Sequence, residues 1–374
     1  MFAAMCNHGV RVKMILLHGE HPPAGEMPEG FEQLCVPHNT NILTRRKYIR
    51  KHLIPADDGE PTIVHDTFMA QMGLYLRNRW TLRKHKNVRN VLGLYFTTPA
   101  YFLKGQWRGK SEDAKTRLRE WPFYMRRHIP VIFGELVSCH LSDMITGNSE
   151  EVVEGVRKYY RIPSARTKFI SAEIDTDFYC PGPSKRKELN LPLDKKRVLY
   201  AGHFQRHKGI DTLLEAFEIL TQKDKDVRLI LLGDLADTGY VWFKNIMMGM
   251  SSASQIDVRD RVDSHTLRDY YRSCDVFVCP THHEGSPRVI KEAIACGCPV
   301  ITSRISGNYA IDPEGKSLVY ATNWDPQEYA GLMSEVLNNP EFRQQRIGAG
   351  LEVISRLSLK ATSQKYMELY KSLF

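Results

Sequence analysis

The stretch Glu284-Gly285-Ser286-Pro287-Arg288-Val289-Ile290-Lys291-Glu292 decides the fold, and it follows the strand-like run Asp275–Pro280. Ser286 is a good N-cap, and Pro287 suits the first helical position, where its missing N–H costs nothing. The backbone N–H groups of Arg288 and Val289 then lack a helical partner and point above the sheet. A phosphate is the natural occupant, favoured by those donors and by the helix dipole. Gly285 lets the turn be tight. Glu292 comes about a turn and a half into the helix, whereas Glu284 lies on the loop before it. Two carboxylates therefore face one cleft from different elements. One is placed for ribose hydroxyls and the other for the hydroxyls of a sugar, with phosphates between them. That outlines a site for a nucleotide sugar.

Working outward, Val198-Leu-Tyr-Ala-Gly202 is a short apolar strand ending in glycine. His203-Phe-Gln-Arg-His-Lys-Gly209 leads from it into a helical pattern over Ile210–Leu220, with Leu213, Leu214, Phe217 and Leu220 on one face. Arg206 and Lys208 fall at the carboxyl edge of the strand, where open α/β sheets bind ligands. Val227–Gly233 is an apolar strand closed by Gly233-Asp234. Asp263–Ser273 reads as a helix, and Asp275–Cys279 and Pro299–Thr302 as buried parallel strands. The chain contains no G-x-G-x-x-G after a strand and no G-x-x-x-x-G-K-[ST], which argues against a dinucleotide dehydrogenase or a P-loop enzyme.

The E-x7-E spacing, the Gly-Ser-Pro turn and the continuation Ala293-Ile-Ala-Cys-Gly-Cys-Pro-Val300 together resemble the donor site of the family 4 retaining glycosyltransferases. That resemblance implies the GT-B fold, two Rossmann-like α/β domains facing across a cleft. It implies a metal-independent hexosyltransferase with no cofactor and a nucleoside-diphosphate sugar as donor. UDP is taken as the carrier on general frequency alone. The resemblance assigns Glu292 to the ribose, Glu284 to the transferred sugar, and Lys208 with Arg206 to the leaving diphosphate. Gly202, Gly233, Gly285, Ser286, Pro287, Arg288 and Val289 line the donor site. Family members carry arginine where this chain has His203, so Arg206 is expected to supply the charge from nearby. Asp260-Arg-Val262 matches the segment whose main chain recognises the base.

The same resemblance divides the chain into an acceptor domain over 1–178, a linker over 179–196 rich in Pro and Lys, a donor domain over 197–356, and a helix over 357–374 that crosses back to the first domain. Ala172-Glu-Ile-Asp175 resembles the family's asparagine-glycine-isoleucine-aspartate segment that enters the linker. Its position there separates Asp175-x-Asp177 from the metal-binding D-x-D of the other large glycosyltransferase fold.

The first half departs from the family. Met1–Val10 resembles only the end of the usual first helix, so Lys13–His18 is expected to be the second strand, with the first strand and its Gly-rich loop missing. Loss of that central strand would take ladder partners from both sides and weaken an isolated chain. Truncation, supply of the strand from elsewhere and degeneracy all remain open. Thr62–Thr67 and Asn90–Phe96 resemble the next two strands, and Ser142–Ser149 the strand before a helix over Glu150–Tyr160. His65 is either an acceptor residue or a hydrogen-bonded structural histidine. Thr97 and Thr98 stand where relatives place an active-site histidine, and are acceptor contacts at most.

Charge is unevenly spread. The 374 residues carry a formal +9; residues 1–174 hold about +9 of it and the remainder is about neutral. Ile42–Ile54 reads as a short basic amphipathic helix. Tyr95–Trp107 adds Phe96, Tyr101, Phe102, Leu103 and Trp107 beside Lys104, Arg108 and Lys110. Cationic stems beside aromatics suit an anionic membrane surface, and a solvated basic face with the aromatics packed inside is the plainer alternative. No nucleic-acid-binding module accompanies the charge. The apolar runs are too short for a membrane span and no signal peptide opens the chain. The eight scattered cysteines lack a C-x-x-C pair, and fit a reducing cytoplasm.

The sequence thus predicts a cytoplasmic glycosyltransferase, peripheral on the inner membrane face if the basic half binds lipid. Its acceptor is a sugar, a lipid-linked molecule or a cell-envelope polysaccharide precursor. The alternative is a nucleotide-binding, catalytically impaired subunit of a glycosyltransferase complex. It would bind nucleotide without turnover. An epimerase or a phosphorylase of the same fold is a more distant reading; the first would release nucleotide without an acceptor, and the second would need pyridoxal phosphate.

Overall fold

The computed structural model describes residues 11–16, 31–35, 61–67, 86, 88–94, 129 and 131–374. The chain divides into two compact units. One comprises residues up to Ala172 together with Leu359–Phe374, and the other Glu173–Ser358.

The first unit is built on a parallel sheet of six strands, β1 (Arg11–Leu16), β2 (Phe31–Cys35), β3 (Thr62–Thr67), β4 (Val88–Leu94), β5 (Met144–Gly147) and β6 (Thr167–Phe169), in the order β2-β1-β3-β4-β5-β6. A parallel strand with helices on both faces must be apolar throughout. The run Val91-Leu92-Gly93-Leu94 is buried at every position. Alternation sends Leu92, Leu94 and Ile145 toward a helix over 131–141 (α1) and toward α2 (Glu150–Tyr160). It sends Ile63, Val91 and Met144 toward Tyr366, Met367, Leu369 and Tyr370 of the C-terminal helix Leu359–Lys371. Helix α2 opens on Ser149, whose side chain accepts from the Val152 N–H at 3.3 Å. Glu150 and Glu151 lie in its first turn and Arg157 and Lys158 in its last, complementing the dipole.

One expectation about this sheet is corrected. A lost first strand was expected to leave its neighbours without ladder partners. Instead β1 pairs with β2 through Val12–Leu16 and with β3 through Arg11–Met14, so the sheet is continuous. The strand also begins two residues before the expected Lys13–His18.

The second unit repeats the design. Its strands are β7 (Lys196–Ala201), β8 (Val227–Leu232), β9 (Ile256–Arg259), β10 (Val276–Cys279), β11 (Val300–Ser303) and β12 (Val319–Ala321), all parallel, in the order β12-β11-β10-β7-β8-β9. Its helices are α3 (Ile210–Lys223), α4 (Thr238–Met248), α5 (Ser264–Ser273), α6 (Arg288–Ala295), the single turn α7 (Ser306–Tyr309), α8 (Pro326–Asn338) and α9 (Pro340–Ser355). Leu213, Leu214, Phe217 and Leu220 of α3 pack with Tyr329 and Met333 of α8 on one face of the sheet. Tyr270 and Tyr271 of α5, Ile290 and Ala293 of α6 and Ile354 of α9 pack on the other.

Strand order reverses between β7 and β10, which are neighbours although two strands intervene in sequence. At the amino ends of this pair Arg197 donates through Nη2 to Asp275 Oδ2 at 2.7 Å, and its backbone N–H donates to the same oxygen at 2.8 Å. Arg197 is 4% exposed. The pin fixes the register of the two strands whose carboxyl ends carry the candidate site. Asp175 lies far from metal chemistry: its Oδ1 accepts from the N–H groups of Asp177 and Phe178 and so closes a turn. Among the described residues, no helix is long and apolar enough to cross a membrane.

His65 lies in the core of the first unit, 3% exposed, with Nδ1 2.5 Å from the Tyr370 hydroxyl and its ring edge-on to Tyr366. The ring thus ties β3 to the C-terminal helix, the hydrogen-bonded structural arrangement that the sequence left open beside an acceptor role. Burial pulls its pKa from 6.5 to about 3. The unfolded chain therefore takes up a proton below pH 6.5 that the folded chain refuses. The resulting stability is complete above 6.5 and is lost as pH falls toward 3, at up to about 1.4 kcal/mol per pH unit. Urea unfolding at pH 7 and pH 5 is expected to show a steeper loss for the native chain than for His65→Leu; parallel losses would contradict the linkage.

Candidate active site

The carboxyl ends of β7 and β10 give rise to two loops that are laced together. The His282 N–H donates to the His207 carbonyl at 2.8 Å, and Thr281 Oγ1 donates to the same oxygen at 3.2 Å. Gly209 follows a single 3-10 turn, Arg206–Lys208, with φ of 69°. A Cβ there would lie 2.0 Å from the Pro280 carbonyl oxygen, so only glycine allows both the left-handed backbone and the approach. Lys208 reaches across and forms an ion pair with Glu284, each side chain about one-fifth exposed. Below that loop a Cβ on Gly307 would lie 2.0 Å from the Glu284 carbonyl oxygen. At the tips of β7 and β8, a Cβ on Gly233 would stand 2.5 Å from the Gly202 carbonyl oxygen.

Helix α6 starts one residue later than the sequence reading placed it. Pro287 is the N-cap, with φ −69° and ψ 117°, Arg288 is the first helical residue, and no side chain caps the turn. Ser286 is occupied otherwise: its Oγ accepts from Lys291 Nζ at 3.0 Å. The correction leaves the anion argument intact, since the N–H groups of Arg288 and Val289 still open the helix with the positive end of its dipole. Glu292 is 5% exposed. The Tyr271 hydroxyl donates to its Oε2 at 3.2 Å, Tyr179 reaches the same carboxylate, and Arg288 Nε lies 3.8 Å from Oε1. Burial pushes the Glu292 carboxyl upward, while Arg288, Tyr271, Tyr179 and Lys291 favour its charged form.

Lys208, Glu284, Gly285, Ser286, the open turn of α6 and Glu292 are thus brought to one edge of the second sheet. His203 and Arg206 are on the same loop but turned to α4. His203 Nδ1 lies 3.0 Å from Asp237 Oδ2, and Asp237 also caps α4 by accepting from the Gly239 N–H. The Arg206 guanidinium lies 4.8 Å from the centre of the Trp242 ring. Thr97 and Thr98 lie outside the described residues, as do Ile42–Ile54 and Tyr95–Trp107. Sequence reasoning missed Tyr179, Tyr271, Asp237, Trp242, Gly307 and Lys291. The first five are remote in sequence from the residues they serve, and no local signal marks them. Lys291 had one, a cation on the inner side of a helix flanked by Ile290 and Ala293. Among the described residues, no group of three or more His, Cys, Asp or Glu side chains gathers as a metal site.

Replacing Gly209 by alanine is expected to cost at least about 2 kcal/mol, because the left-handed backbone and the Pro280 carbonyl both oppose a methyl group. Gly331→Ala in α8, where a Cβ meets nothing within 4 Å, is the control and should be neutral or slightly stabilising. Equal urea midpoints for the two variants would contradict the close approach.

Residues 183–352 match the family profile described as glycosyl transferases group 1. The D-inositol 3-phosphate glycosyltransferase of Xylanimonas cellulosilytica is 30% identical over 239 residues, 60% of this chain and 55% of the relative. The enzyme of the same name from Thermobifida fusca is 27% identical over 247 residues, 64% of this chain and 57% of the relative. The chain therefore spans little more than half the length of these two relatives. The match to the Nocardiopsis dassonvillei enzyme of that name is longer, 24% identity over 98% of this chain and 86% of the relative. Among solved structures, sucrose-phosphate synthase from Thermosynechococcus elongatus superposes with a TM-score of 0.74 at 21% identity, over 100% of this chain and 91% of that one. Anabaena HepE in complex with UDP and glucose gives 0.70 at 15% identity, over 97% of this chain and 99% of that one. These structural likenesses establish the fold, GT-B.

Proposed function

We propose that the chain, whose residues 183–352 match the profile of the group 1 glycosyl transferases, transfers a hexosyl group, with retention, from a UDP-sugar to an anionic acceptor. The observation that carries the reading is the convergence of Lys208, Glu284, the uncapped start of α6 and Glu292 at the point where the strand order of the second sheet reverses. Open α/β sheets bind their ligands there.

Each group has a chemical task. The buried Glu292 carboxylate accepts from ribose hydroxyls. The N–H groups of Arg288 and Val289 and the Lys208 ammonium receive the diphosphate. As the glycosidic bond to the diphosphate breaks, negative charge grows on the leaving oxygen, and these fixed donors stabilise it without reorganising. Glu284, released from Lys208 by the arriving phosphate, turns to the hydroxyls of the transferred sugar. The acceptor hydroxyl attacks from the face the leaving group vacates, and its proton goes to the departing phosphate. No step requires a metal, so activity should survive a chelator.

UDP is favoured by the likeness to a protein solved with UDP and glucose. An anionic acceptor is favoured by the basic first half of the chain and by relatives named for a phosphorylated polyol. A lipid-linked phosphate has the same chemistry and would bring the protein to a membrane surface.

A panel of UDP-, GDP- and ADP-sugars, scored by nucleotide release with and without anionic vesicles or phosphorylated polyols, tests the reading. Release from one donor is expected, with Glu292→Ala lowering kcat/KM by about a hundredfold, the equivalent of roughly 2 to 3 kcal/mol of lost transition-state binding. Tight nucleotide binding with no release from any donor would favour a binding subunit. No nucleotide binding at all would overturn the proposal.

A further inference from the structure

Lys291 is an anomaly in the helix that carries Glu292. Lysine is almost never fully buried unless it is paired, yet Lys291 is 0% exposed in a helix whose residues 290–295 are all buried. Its ammonium donates to Ser286 Oγ at 3.0 Å. The charge that most favours its protonated form is the Glu173 carboxylate, at the start of the second unit. Glu292 acts in the same sense, and Arg288 on the same helix opposes. Burial pulls the ammonium down to about 8. Replacing a buried ion pair as a whole by apolar side chains is often neutral or stabilising, although removing one partner alone is costly. Fold stability alone therefore does not explain why a charged side chain stands among these apolar neighbours. Two features of the chain meet at this point. Glu173 is the carboxylate whose charge most favours the ammonium, and that ammonium holds Ser286 in the turn between Glu284 and α6.

We propose that Lys291 is a positioning residue of the transfer site, a buried clamp on Ser286 that fixes the Gly285–Pro287 turn. The inference rests on the transferase reading of this site. Neither Ser286 nor Pro287 ties the turn to the helix: Ser286 does not cap it, and Pro287 has no N–H to donate. Its backbone sets the direction of the Glu284 side chain on one side and of the Arg288 and Val289 N–H groups on the other. A loose turn would still admit a nucleotide, which Glu292 holds from deeper in the helix. It would misplace the groups that orient the sugar and meet the leaving phosphate, and small misplacements of such groups are expensive in rate. The expected signature is a loss in kcat with nucleotide affinity kept.

The test uses the full chain and four variants, Lys291→Met, Ser286→Ala, Ser286→Thr and the Lys291→Met/Ser286→Ala double. Amide hydrogen exchange of the ligand-free protein over residues 283–290 reads the clamp without reference to activity. Lys291→Met and Ser286→Ala should each speed exchange there by about tenfold. The double variant should be no worse than either single, since both break one interaction. UDP binding and donor turnover of Lys291→Met then read the consequence: Kd for UDP within about threefold of the native chain, and kcat down by at least about tenfold; Ser286→Thr, which keeps the hydroxyl, should restore the slow exchange over 283–290 that Ser286→Ala loses. Unchanged exchange in Lys291→Met would overturn the clamp, whether or not the native chain binds nucleotide. Faster exchange with native kcat would overturn the positioning role and leave a packing role. If Lys291→Met fails to fold, Ser286→Ala decides by the same two readouts. Absence of UDP, GDP and ADP binding by the native chain would instead overturn the transferase reading, and shows before any variant is compared.

Discussion

The site depends on one close approach, the passage of Gly209 beneath the Pro280 carbonyl. Two loops leave the sheet on either side of the point where its strand order reverses, and nothing in the strands themselves obliges them to meet. They meet because Gly209 takes a backbone conformation with φ of 69° and leaves no side chain between the chains. With that contact made, the His207 carbonyl can accept from both His282 and Thr281, and Lys208 is delivered to Glu284. The Arg197–Asp275 pin acts at the other end of the same strand pair. One device sets the register of β7 against β10 and the other sets the separation of their loops. A shift in either would move Lys208 and Glu284 relative to each other, because each loop carries one of them.

The electrostatics of the resting site follow from exposure. Lys208 and Glu284 are partly open to solvent, so their ion pair is worth on the order of 1 kcal/mol and yields readily to a stronger anion. On the proposed function, a diphosphate carries more charge than one carboxylate and would be met at the same time by the start of α6. The pair therefore holds two flexible side chains in place at little cost to binding. Glu292 is handled in the opposite way. It is nearly fully buried, and its charged form is supported by Tyr271, Tyr179, Arg288 and Lys291 together. A carboxylate so surrounded keeps its place whether or not a ribose is present. Glu284 is thus held by one partly exposed ion pair and Glu292 by burial and four neighbours, and on the proposed function the second suits the nucleotide and the first the sugar.

Much of this was legible in the sequence, and the reasons are local. The strand-turn-helix reading at 275–292 rests on a short apolar run, a turn signal and a helix start, all encoded within eighteen residues. The α/β class follows from repeats of that unit, and the helix over Glu150–Tyr160 was readable for the same reason. The start of α6 was misjudged by one residue because Ser286, a good cap by propensity, is drawn instead to a buried lysine that propensity does not see. His65 resembled a strand-tip site residue, but the partner that decides its role, Tyr370, lies 305 positions away. The ladder at the centre of the first sheet was misjudged by analogy: Arg11–Leu16 simply pairs on both sides. For His65 and for β1 the missing information was a contact between residues distant in sequence, and at α6 it was the burial of a lysine five residues on.

The first loop of the site shows how a family pattern can be kept in outline and rebuilt in detail. Where relatives use an arginine, His203 is turned to Asp237, and that carboxylate is also needed to cap α4. Burden is thereby moved onto the helix: Trp242, one turn further along α4, carries the Arg206 guanidinium on its ring. A cation over an aromatic face keeps its charge and loses little hydration at an exposed position. Arg206 is therefore held near the loop as a charge that reaches inward only by leaving Trp242. Lys208, tied directly to Glu284, is the cation already in place. The inward-facing donors at this end of the site are thus Lys208 and the N–H groups that open α6, and the latter follow the turn that Lys291 holds through Ser286.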